Sequence, residues 1–189
     1  MQDQEIWLFG YGSVLWKPGF DYLERKRARI FHYRRVFYQG SPDHRGTPEK
    51  PGRVVTLLKE EEAWCDGFVF RIAPADEEKV LRALDQREVE GYGREKVEAH
   101  VFSETTMEIE TVLLDVWVYM ATERNPAFLG PAQPEEIAKE ALHCHGESGA
   151  NSEYILCLAQ TLRSAGLVDE HVFKVEGALN RLLTSSNSL

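Results

Sequence analysis

The feature that most constrains the fold is a change in the spacing of apolar residues along the chain. Up to residue 72, apolar and β-branched residues form short runs typical of strands. From residue 76 onward, several segments repeat apolar residues every three to four positions, as amphipathic helices do. Strands are predicted at 6–9, 30–39, 53–58, 64–72, 96–102 and 111–119, and helices at 76–88, from Pro134, at 152–164 and at 169–183. Strands early and helices late indicate an α+β fold.

The length of the chain, 189 residues, fits a single domain that buries a core. The sequence has no internal repeat, low-complexity block or long linker, so we predict one domain over residues 1–183. Residues 184–189 are polar and are predicted to be a disordered tail. An acidic turn is predicted to join the strands at 53–58 and 64–72.

The overall charge limits the possible partners. The formal net charge is −9, from 31 acidic and 22 basic residues, so neither nucleic acid nor an anionic membrane is an expected partner. No apolar run is long enough to cross a bilayer, and the acidic N-terminus is unlike a signal peptide. These features predict a cytoplasmic protein, in which local cations or backbone amides must hold any anionic ligand against the overall field.

The cysteines and histidines do not form a pattern of metal ligands. The three cysteines make an odd count without a C-x-x-C spacing, which argues against a disulfide framework and is typical of a reducing compartment. His143, Cys144 and His145 are adjacent, but no second pair of ligands follows at zinc spacing. We interpret this segment as the end of a helix, and no metal or cofactor is expected.

A glycine-rich turn, Gly10-Tyr11-Gly12-Ser13, follows the first predicted strand. Glycines permit left-handed backbone angles and a close approach of a ligand to the chain. Successive amides in such a turn can converge on an anion. The turn lacks the Gly-Lys-Ser/Thr of a P-loop and the third glycine of a dinucleotide site. These four residues alone fit a tight structural turn as well as a ligand site.

Glu88 is a candidate general acid/base. It follows Val80 and Leu84 at intervals of four, which puts its carboxylate on the apolar face of the predicted helix. Desolvation and the negative helix C-terminus both raise a carboxyl pKa toward values useful for proton transfer. An ion pair with Arg87 or Arg94 is the structural alternative. The spacing alone also leaves Asp85 open, and Glu90 is a further acid nearby.

A third polar segment contains Asp43, His44 and Arg45, followed by Arg53. Asp and His suggest a hydrolase triad, but a G-x-S-x-G nucleophile turn is absent. Hydrogen bonds that stabilise the loop, with Arg45 or Arg53 meeting a carboxylate, are the favoured interpretation.

Taken in order, these pieces resemble the ChaC family of glutathione-specific γ-glutamylcyclotransferases over residues 6–183. The matching strings are Phe9-Gly10-Tyr11-Gly12-Ser13 with Trp16-Lys17, Gln39-Gly40-Ser41 with Asp43-His44-Arg45-Gly46, Lys50-Pro51-Gly52-Arg53-Val54-Val55-Thr56-Leu57, Leu84-Asp85 with Arg87-Glu88, Gly91-Tyr92, Asn125-Pro126, Leu129-Gly130-Pro131-Ala132, and Ser148-Gly149 with Asn151 and Glu153-Tyr154. Each string is short, but their ordered combination is specific.

The resemblance implies a small mixed β-barrel with flanking helices and the cleavage of glutathione to 5-oxoproline and cysteinylglycine. It places the catalytic glutamate at Glu88 and a ligand-contacting tyrosine at Tyr154. Supporting roles are expected for Asp43, Arg45 and Arg53. The substrate-binding loop falls on Gly10, Tyr11, Gly12, Ser13, Val14 and Leu15.

Two positions depart from the family pattern. Val14 stands where leucine is usual, and Glu90 stands where glycine is usual, which adds a charge two residues from Glu88. The second change bears on the pKa of Glu88 more than on the assignment of Glu88 as the catalytic residue. A preference for γ-glutamyl amino acids or amines, or a fold-mate that binds such a ligand without catalysis, are the alternative functions. The sequence does not predict the oligomeric state.

Overall fold

The structure is a computed structural model that describes residues 6–87, 92–106 and 108–186. The strands are β1 (Ile6–Gly10), β2 (Glu24–Ser41), β3 (Gly52–Ile72), β4 (Tyr92–Phe102), β5 (Ile109–Ala121), β6 (His145–Gly146) and β7 (Gly149–Ala150). The α-helices are α1 (Glu77–Arg87), α2 (Pro134–Leu142), α3 (Asn151–Ser164) and α4 (Glu170–Ser186), and 3-10 turns lie at Ser13–Leu15 and Pro74–Asp76. No helix among these residues is long and apolar enough to span a bilayer.

The chain folds into two compact units. The first comprises Met1–Arg34 and Leu57–Asn125, and the second comprises Arg35–Thr56 and Pro126–Leu189. Because β2 and β3 are long, each contributes residues to both units.

A closed barrel forms from five strands in the order β1-β3-β2-β4-β5. Strand β1 closes it by pairing antiparallel with β3, Leu8 opposite Phe70, and parallel with β5, Leu8 opposite Trp117. Apolar side chains that alternate along these strands fill the interior, and Phe70 and Val118 are fully buried. The barrel and the helices confirm the predicted α+β class.

Strand β3 corrects the sequence prediction of two strands joined by an acidic turn. It runs unbroken from Gly52 to Ile72, through the acidic residues 60–62. Their side chains are exposed, so charge does not prevent strand pairing there. Glu60 forms an ion pair of 2.7 Å with Arg34, and Lys59 forms one of 3.0 Å with Glu95. Arg34 of the neighbouring strand β2 thus supplies a counter-charge to Glu60 that composition alone did not reveal.

The helices of the second unit match their predicted positions. Helix α2 begins at Pro134, where the side chains and backbone amides of Gln133 and Glu136 form a reciprocal capping box. Helix α3 buries Ile155, Leu158 and Leu162 on one face. His143 is the C-terminal cap of α2, in agreement with our interpretation of that segment as a helix end.

Helix α4 corrects the predicted boundary of the C-terminal tail. It continues to Ser186, beyond the boundary expected at Thr184. The hydroxyl of Thr184 donates to the carbonyl of Asn180 at 2.9 Å, and that of Ser185 donates to Arg181 at 2.9 Å. These side chains bond within the helix, so a polar sequence does not end it here. Residues 187–189 lie outside the described part of the chain.

Candidate active site

The glycine turn follows the end of β1 in the first unit. The 3-10 turn Ser13–Leu15 begins directly after Gly12, whose φ is −116°. Among the described residues, the glycines with positive φ are Gly19, Gly130, Gly149 and Gly166. The expected left-handed angles are therefore wrong for Gly10 and Gly12.

Side chains approach the backbone closely at Gly10, and one of them belongs to the same turn. A Cβ on Gly10 would lie 2.9 Å from Cγ1 of Val14 and 3.0 Å from Cε2 of Phe70. Real Cβ atoms do not pack at 2.9 Å, so glycine is required for Val14 to pack down against β1. Leu15 is buried beside it, 1% exposed. The turn is thus held by apolar contacts on its inner side.

The backbone hydrogen bonds of the turn limit where it can bind an anion. The amide of Leu15 donates to the carbonyl of Gly12 at 3.0 Å, and the amide of Lys17 donates to the carbonyl of Ser13 at 2.8 Å. The first amides of a helical turn have no acceptor within that turn. The amides of Leu15 and Lys17 are therefore used within the turn itself.

Helix α1 leads toward the candidate base. Its inward face carries Val80 and Leu84, each 5% exposed. Glu88 and Glu90 lie outside the described residues. Glu88 follows Leu84 by four positions, and its place on the same face remains a prediction from spacing.

Asp85, the alternative acid, holds α1 to the barrel. Its carboxylate accepts hydrogen bonds from the Tyr119 hydroxyl at 2.7 Å and from Arg94 at 3.4 Å, and its side chain is half exposed. Burial, and then the bond to Asp85, raise the pKa of Tyr119 to about 12. Arg94, considered above as a partner of Glu88, also lies 5.0 Å from the centroid of the Trp117 ring. Asp85 thus has a structural role within α1, β4 and β5.

The polar loop after β2 lies in the second unit, against the β6–β7 hairpin. The backbone carbonyl of Asp43 accepts from the amide of Glu147 at 2.9 Å, and that of His44 accepts from Ser148 at 2.9 Å. The Ser41 hydroxyl donates to the Asp43 carboxylate at 3.2 Å and accepts from the Arg45 amide at 3.1 Å. The loop and the hairpin therefore support each other, as the favoured interpretation of loop-stabilising bonds expected.

The same loop places His44 between an acid and a serine. Its Nδ1 lies 3.1 Å from the hydroxyl of Ser148, and its Nε2 lies 3.4 Å from the carboxylate of Asp43. Both His44 and Asp43 are nearly half exposed. In serine hydrolases the amide of the nucleophile helps to form the oxyanion hole, but the amide of Ser148 donates to His44. The arrangement does not provide for serine catalysis.

Arg53 is a buried structural tie. Its guanidinium donates to the carboxylate of Glu140 and to the carbonyls of Phe37 and Gly130, the latter two at 3.3 and 3.0 Å. Its own amide donates to the side-chain oxygen of Asn151, and its carbonyl accepts from the Asn151 amide group, both at 2.8 Å. The first turn of α3 is thereby fixed to β3.

Asn151 is a residue whose role the sequence analysis missed. It is fully buried, yet the N-cap of α3 is the preceding residue, Ala150. A polar residue before a helix resembles an exposed cap in sequence, and only the tertiary fold shows that its amide pairs with the Arg53 backbone.

Tyr154 lies on the same turn of α3, 5% exposed. Its hydroxyl accepts from the amide of Val55 at 3.4 Å, and its ring packs edge-on against Phe37. The guanidinium of Arg45 lies 5.6 Å from the ring centroid. The second unit therefore brings Asp43, Arg45, Arg53 and Tyr154 together, and the glycine turn belongs to the first unit.

The described residues include no group of three or more His, Cys, Asp or Glu side chains that could hold a metal ion. The thiol of Cys144 donates to the carbonyl of Pro51 at 3.5 Å. Burial raises the pKa of the Cys144 thiol, which keeps it protonated.

Comparisons with known proteins give one consistent family. The model of the family described as ChaC-like protein matches residues 6–182. Glutathione-specific γ-glutamylcyclotransferase 1 of Danio rerio is 40% identical, over 92% of this chain and 88% of that protein. γ-Glutamylcyclotransferase 2-3 of Arabidopsis thaliana is 37% identical, over 97% and 93%. A crystal structure of the glutathione-specific γ-glutamylcyclotransferase from yeast is similar with a TM-score of 0.85 and 30% identity, covering 94% of this chain and 96% of that one.

Proposed function

Because the chain belongs to the family of ChaC-like proteins, we propose that it is a γ-glutamylcyclotransferase that cleaves glutathione to 5-oxoproline and cysteinylglycine. The observation that carries the proposal is the match over nearly the whole chain, to relatives whose names state this glutathione-specific activity. The strings of the resemblance lie within that match.

The reaction is an internal aminolysis. The α-amine of the γ-glutamyl group attacks that group's own side-chain carbonyl, and the C–N bond to cysteine breaks as a five-membered lactam closes. The ammonium of glutathione must first lose a proton, and the leaving nitrogen must gain one. A single general acid/base can perform both transfers, and the other reactant is already part of the substrate.

Glu88 is the residue proposed for both transfers. The two buried residues that precede it at intervals of four, Val80 and Leu84, support an inward position. Partial desolvation there, together with the helix C-terminus, favours the protonated form and so the return of a proton to the leaving group. Glu90 would add a nearby negative charge with the same direction of effect.

Substrate binding is assigned to the loop Gly10 to Leu15 and to Tyr154. The loop would hold the α-carboxylate or the developing oxyanion through backbone amides ahead of Leu15. Val14, the departure from leucine, packs against Gly10, the last residue of β1. Asp43, Arg45 and Arg53 are proposed in supporting roles within the second unit.

The cysteines bear on where the protein is located. Free thiols at Cys65, Cys144 and Cys157 are typical of a reducing compartment, and we propose a cytoplasmic location.

A preference for other γ-glutamyl amino acids or amines is the nearest alternative to the proposed function. Binding of such a ligand without catalysis is the other alternative.

The experiment is incubation of the purified protein with reduced glutathione and, separately, with γ-glutamylalanine, followed by detection of 5-oxoproline. We expect turnover of glutathione and weak or no turnover of γ-glutamylalanine. Faster turnover of γ-glutamylalanine would remove the specificity and keep the chemistry. Formation of 5-oxoproline from neither substrate would contradict the proposed function.

A further inference from the structure

We infer that His171 is a positioning residue for Tyr154, which it holds through Phe37 only while its imidazole is neutral. The inference rests on the proposed function, because it takes Tyr154 as a substrate-binding residue. His171, Phe37 and Tyr154 all belong to the second unit. Acid is therefore expected to weaken the binding of glutathione.

Phe37 is the residue through which His171 reaches Tyr154. Its side chain is fully buried, and its ring packs edge-on against the Tyr154 ring, with the centroids 6.3 Å apart and the planes at 81°. The same ring contacts the imidazole of His171, with 5.8 Å between the centroids. Protein interiors are too densely packed for one ring to shift while its neighbours stay in place. A displacement of Phe37 would therefore move the Tyr154 ring.

The hydrogen bond between His171 and Phe37 fixes the protonation state of the imidazole. The backbone amide of Phe37 donates to Nε2 of His171 at 3.1 Å. A backbone N–H only donates, so Nε2 carries a lone pair and the proton of the neutral imidazole is on Nδ1. A protonated imidazole has an N–H group on both nitrogens and does not accept this bond. The buried amide of Phe37 would then lose its acceptor, which is unfavourable.

The start of α4 holds His171 in front of Phe37. The Asp169 carboxylate accepts from the amide of Val172 at 3.0 Å, as an N-cap side chain does. It also accepts from the guanidinium of Arg35 at 2.8 Å, and the Arg35 side chain is fully buried. Arg35 and Phe37 are two positions apart on β2 and so face the same side of the strand. Two nearby bonds thus tie the start of α4 to β2.

The charged groups around α4 balance one another. Four ion pairs join α4, or the residue before it, to β2, α2, α3 and α4 itself. Within the described residues these pairs are Arg35–Asp169, Glu135–Arg181, Arg163–Glu176 and Glu170–Lys174. Tyr38, whose ring is edge-on to the imidazole at 5.6 Å, is uncharged well below pH 10. The hydrogen bond from Phe37 is therefore the contact that favours the neutral form of His171.

Acid is expected to break the contact between His171 and Phe37. The ordinary pKa of histidine is about 6.5. Above that pH the imidazole is neutral and the bond from Phe37 is fully present. Below it, proton binding competes with the bond, which is lost as the pH falls further. The positioning of Tyr154 should be lost over the same range.

Two substitutions at His171 test the role of the acceptor at pH 8. His171→Phe keeps an aromatic ring against Phe37 and has no acceptor. Its KM for glutathione should rise roughly threefold to tenfold, the range that one hydrogen bond supplies, with kcat within about twofold of wild type. The side-chain oxygen of glutamine can accept from the Phe37 amide and does not titrate. His171→Gln should therefore keep KM within about twofold of the wild-type value.

His143→Gln is the matched control, because His143 is an exposed histidine of the same unit. It should change neither kcat nor KM. KM does not depend on the amount of folded enzyme, so partial misfolding of a His171 variant does not obscure the comparison.

The pH dependence separates a positioning role from a merely structural one. Between pH 8 and pH 5, the wild-type KM should rise relative to that of His171→Gln by a similar factor. Titration of Glu88 and of the substrate is common to both proteins, so the difference reports on His171. The amide proton resonance of Phe37, followed by NMR, should shift over this range in wild type and stay constant in His171→Gln.

Three results would overturn the inference. They are a KM of His171→Phe within about twofold of wild type at pH 8, equal rises in KM for His171→Phe and His171→Gln, and a wild-type Phe37 resonance that does not move between pH 8 and pH 5. A wild-type protein that forms no 5-oxoproline from glutathione would instead overturn the proposed function. The Phe37 resonance does not depend on activity, so it tests His171 in either case.

Discussion

Single residues set the shape of the proposed substrate loop. Gly10 is required by packing, since Val14 and Phe70 occupy the space that a Cβ would need. A left-handed backbone angle does not require glycine at position 12, because the φ of Gly12 is −116°. Its carbonyl accepts from the amide of Leu15, which closes the turn. The sequence identified this loop, but the reason for each glycine required the fold.

Two substitutions in the loop test whether the backbone binds the substrate. Gly12→Val should raise KM severalfold or abolish activity, because its side chain would obstruct the approach of the ligand to the backbone. Ser13→Ala should change kcat/KM by less than about threefold, since it retains the amide that the proposal uses. Steady-state kinetics with glutathione distinguishes them. A loss from Ser13→Ala as severe as that from Gly12→Val would show that the hydroxyl makes the essential contact.

At the scale of elements, α1 is the helix that directly precedes the proposed base in sequence, and its attachment to the barrel is polar as well as apolar. Val80 and Leu84 are buried, and on the outer side the Tyr119 hydroxyl donates to Asp85. Burial and this bond raise the pKa of Tyr119 to about 12. The ordinary value for tyrosine is about 10. The folded protein therefore keeps the phenol proton to a higher pH than the unfolded chain does.

The raised pKa gives a pH dependence with a definite sign. The contribution of the protonated Tyr119 phenol to the free energy of unfolding is fully present below about pH 10. It is lost as the pH rises through the folded-state pKa of about 12. Tyr119→Phe should lower the free energy of unfolding by about 1 kcal/mol at pH 8. The deficit relative to wild type should shrink between about pH 10 and pH 12. Urea unfolding across this range measures it.

Tyr22→Phe is the matched control, since Tyr22 is an exposed tyrosine of the same unit. It should leave the free energy of unfolding at pH 8 within about 0.5 kcal/mol of the wild-type value, as is usual for surface substitutions. A deficit for Tyr119→Phe that is constant across the alkaline range would contradict the raised pKa of Tyr119.

For the whole molecule, local patterns predicted the elements better than their connections. The predicted helices and the strands around residues 96–102 and 111–119 are confirmed, because each depends on apolar spacing and caps within its own segment. Strand β3 was wrongly divided: its acidic residues 60–62 are exposed, and one of them, Glu60, pairs with Arg34 of β2. Closure of the barrel through β1 and β5 depends on pairing between distant residues, which periodicity does not encode.

For the proposed site, too, the sequence pointed to single residues, and the fold was needed to show their contacts. The resemblance pointed to Arg45 and Tyr154 by residue, but their contact is a property of the folded second unit. Arg53 and Asn151 form a buried backbone tie, which polarity in the sequence would have placed at the surface. Glu88 remains a prediction from spacing and resemblance, and it carries the proposed chemistry.

The most direct test of the account is therefore Glu88→Gln. The substitution keeps the size and hydrogen-bonding shape of the side chain and removes its ability to accept a proton from the substrate ammonium. We expect a folded protein that still binds glutathione, with thermal stability equal to or slightly above that of wild type because an inward carboxylate is removed. Its kcat should fall by roughly 10²–10⁴-fold, the range typical of general acid–base catalysis.

Asp85→Asn and Glu90→Gln are the matched controls, and each should keep most of the activity. The measurement is kcat for 5-oxoproline formation from glutathione, with binding of glutathione followed by calorimetry on the same preparations. Loss of kcat with binding retained in Glu88→Gln alone is the predicted result. A folded Glu88→Gln protein that turns over glutathione within about tenfold of wild type would contradict the account.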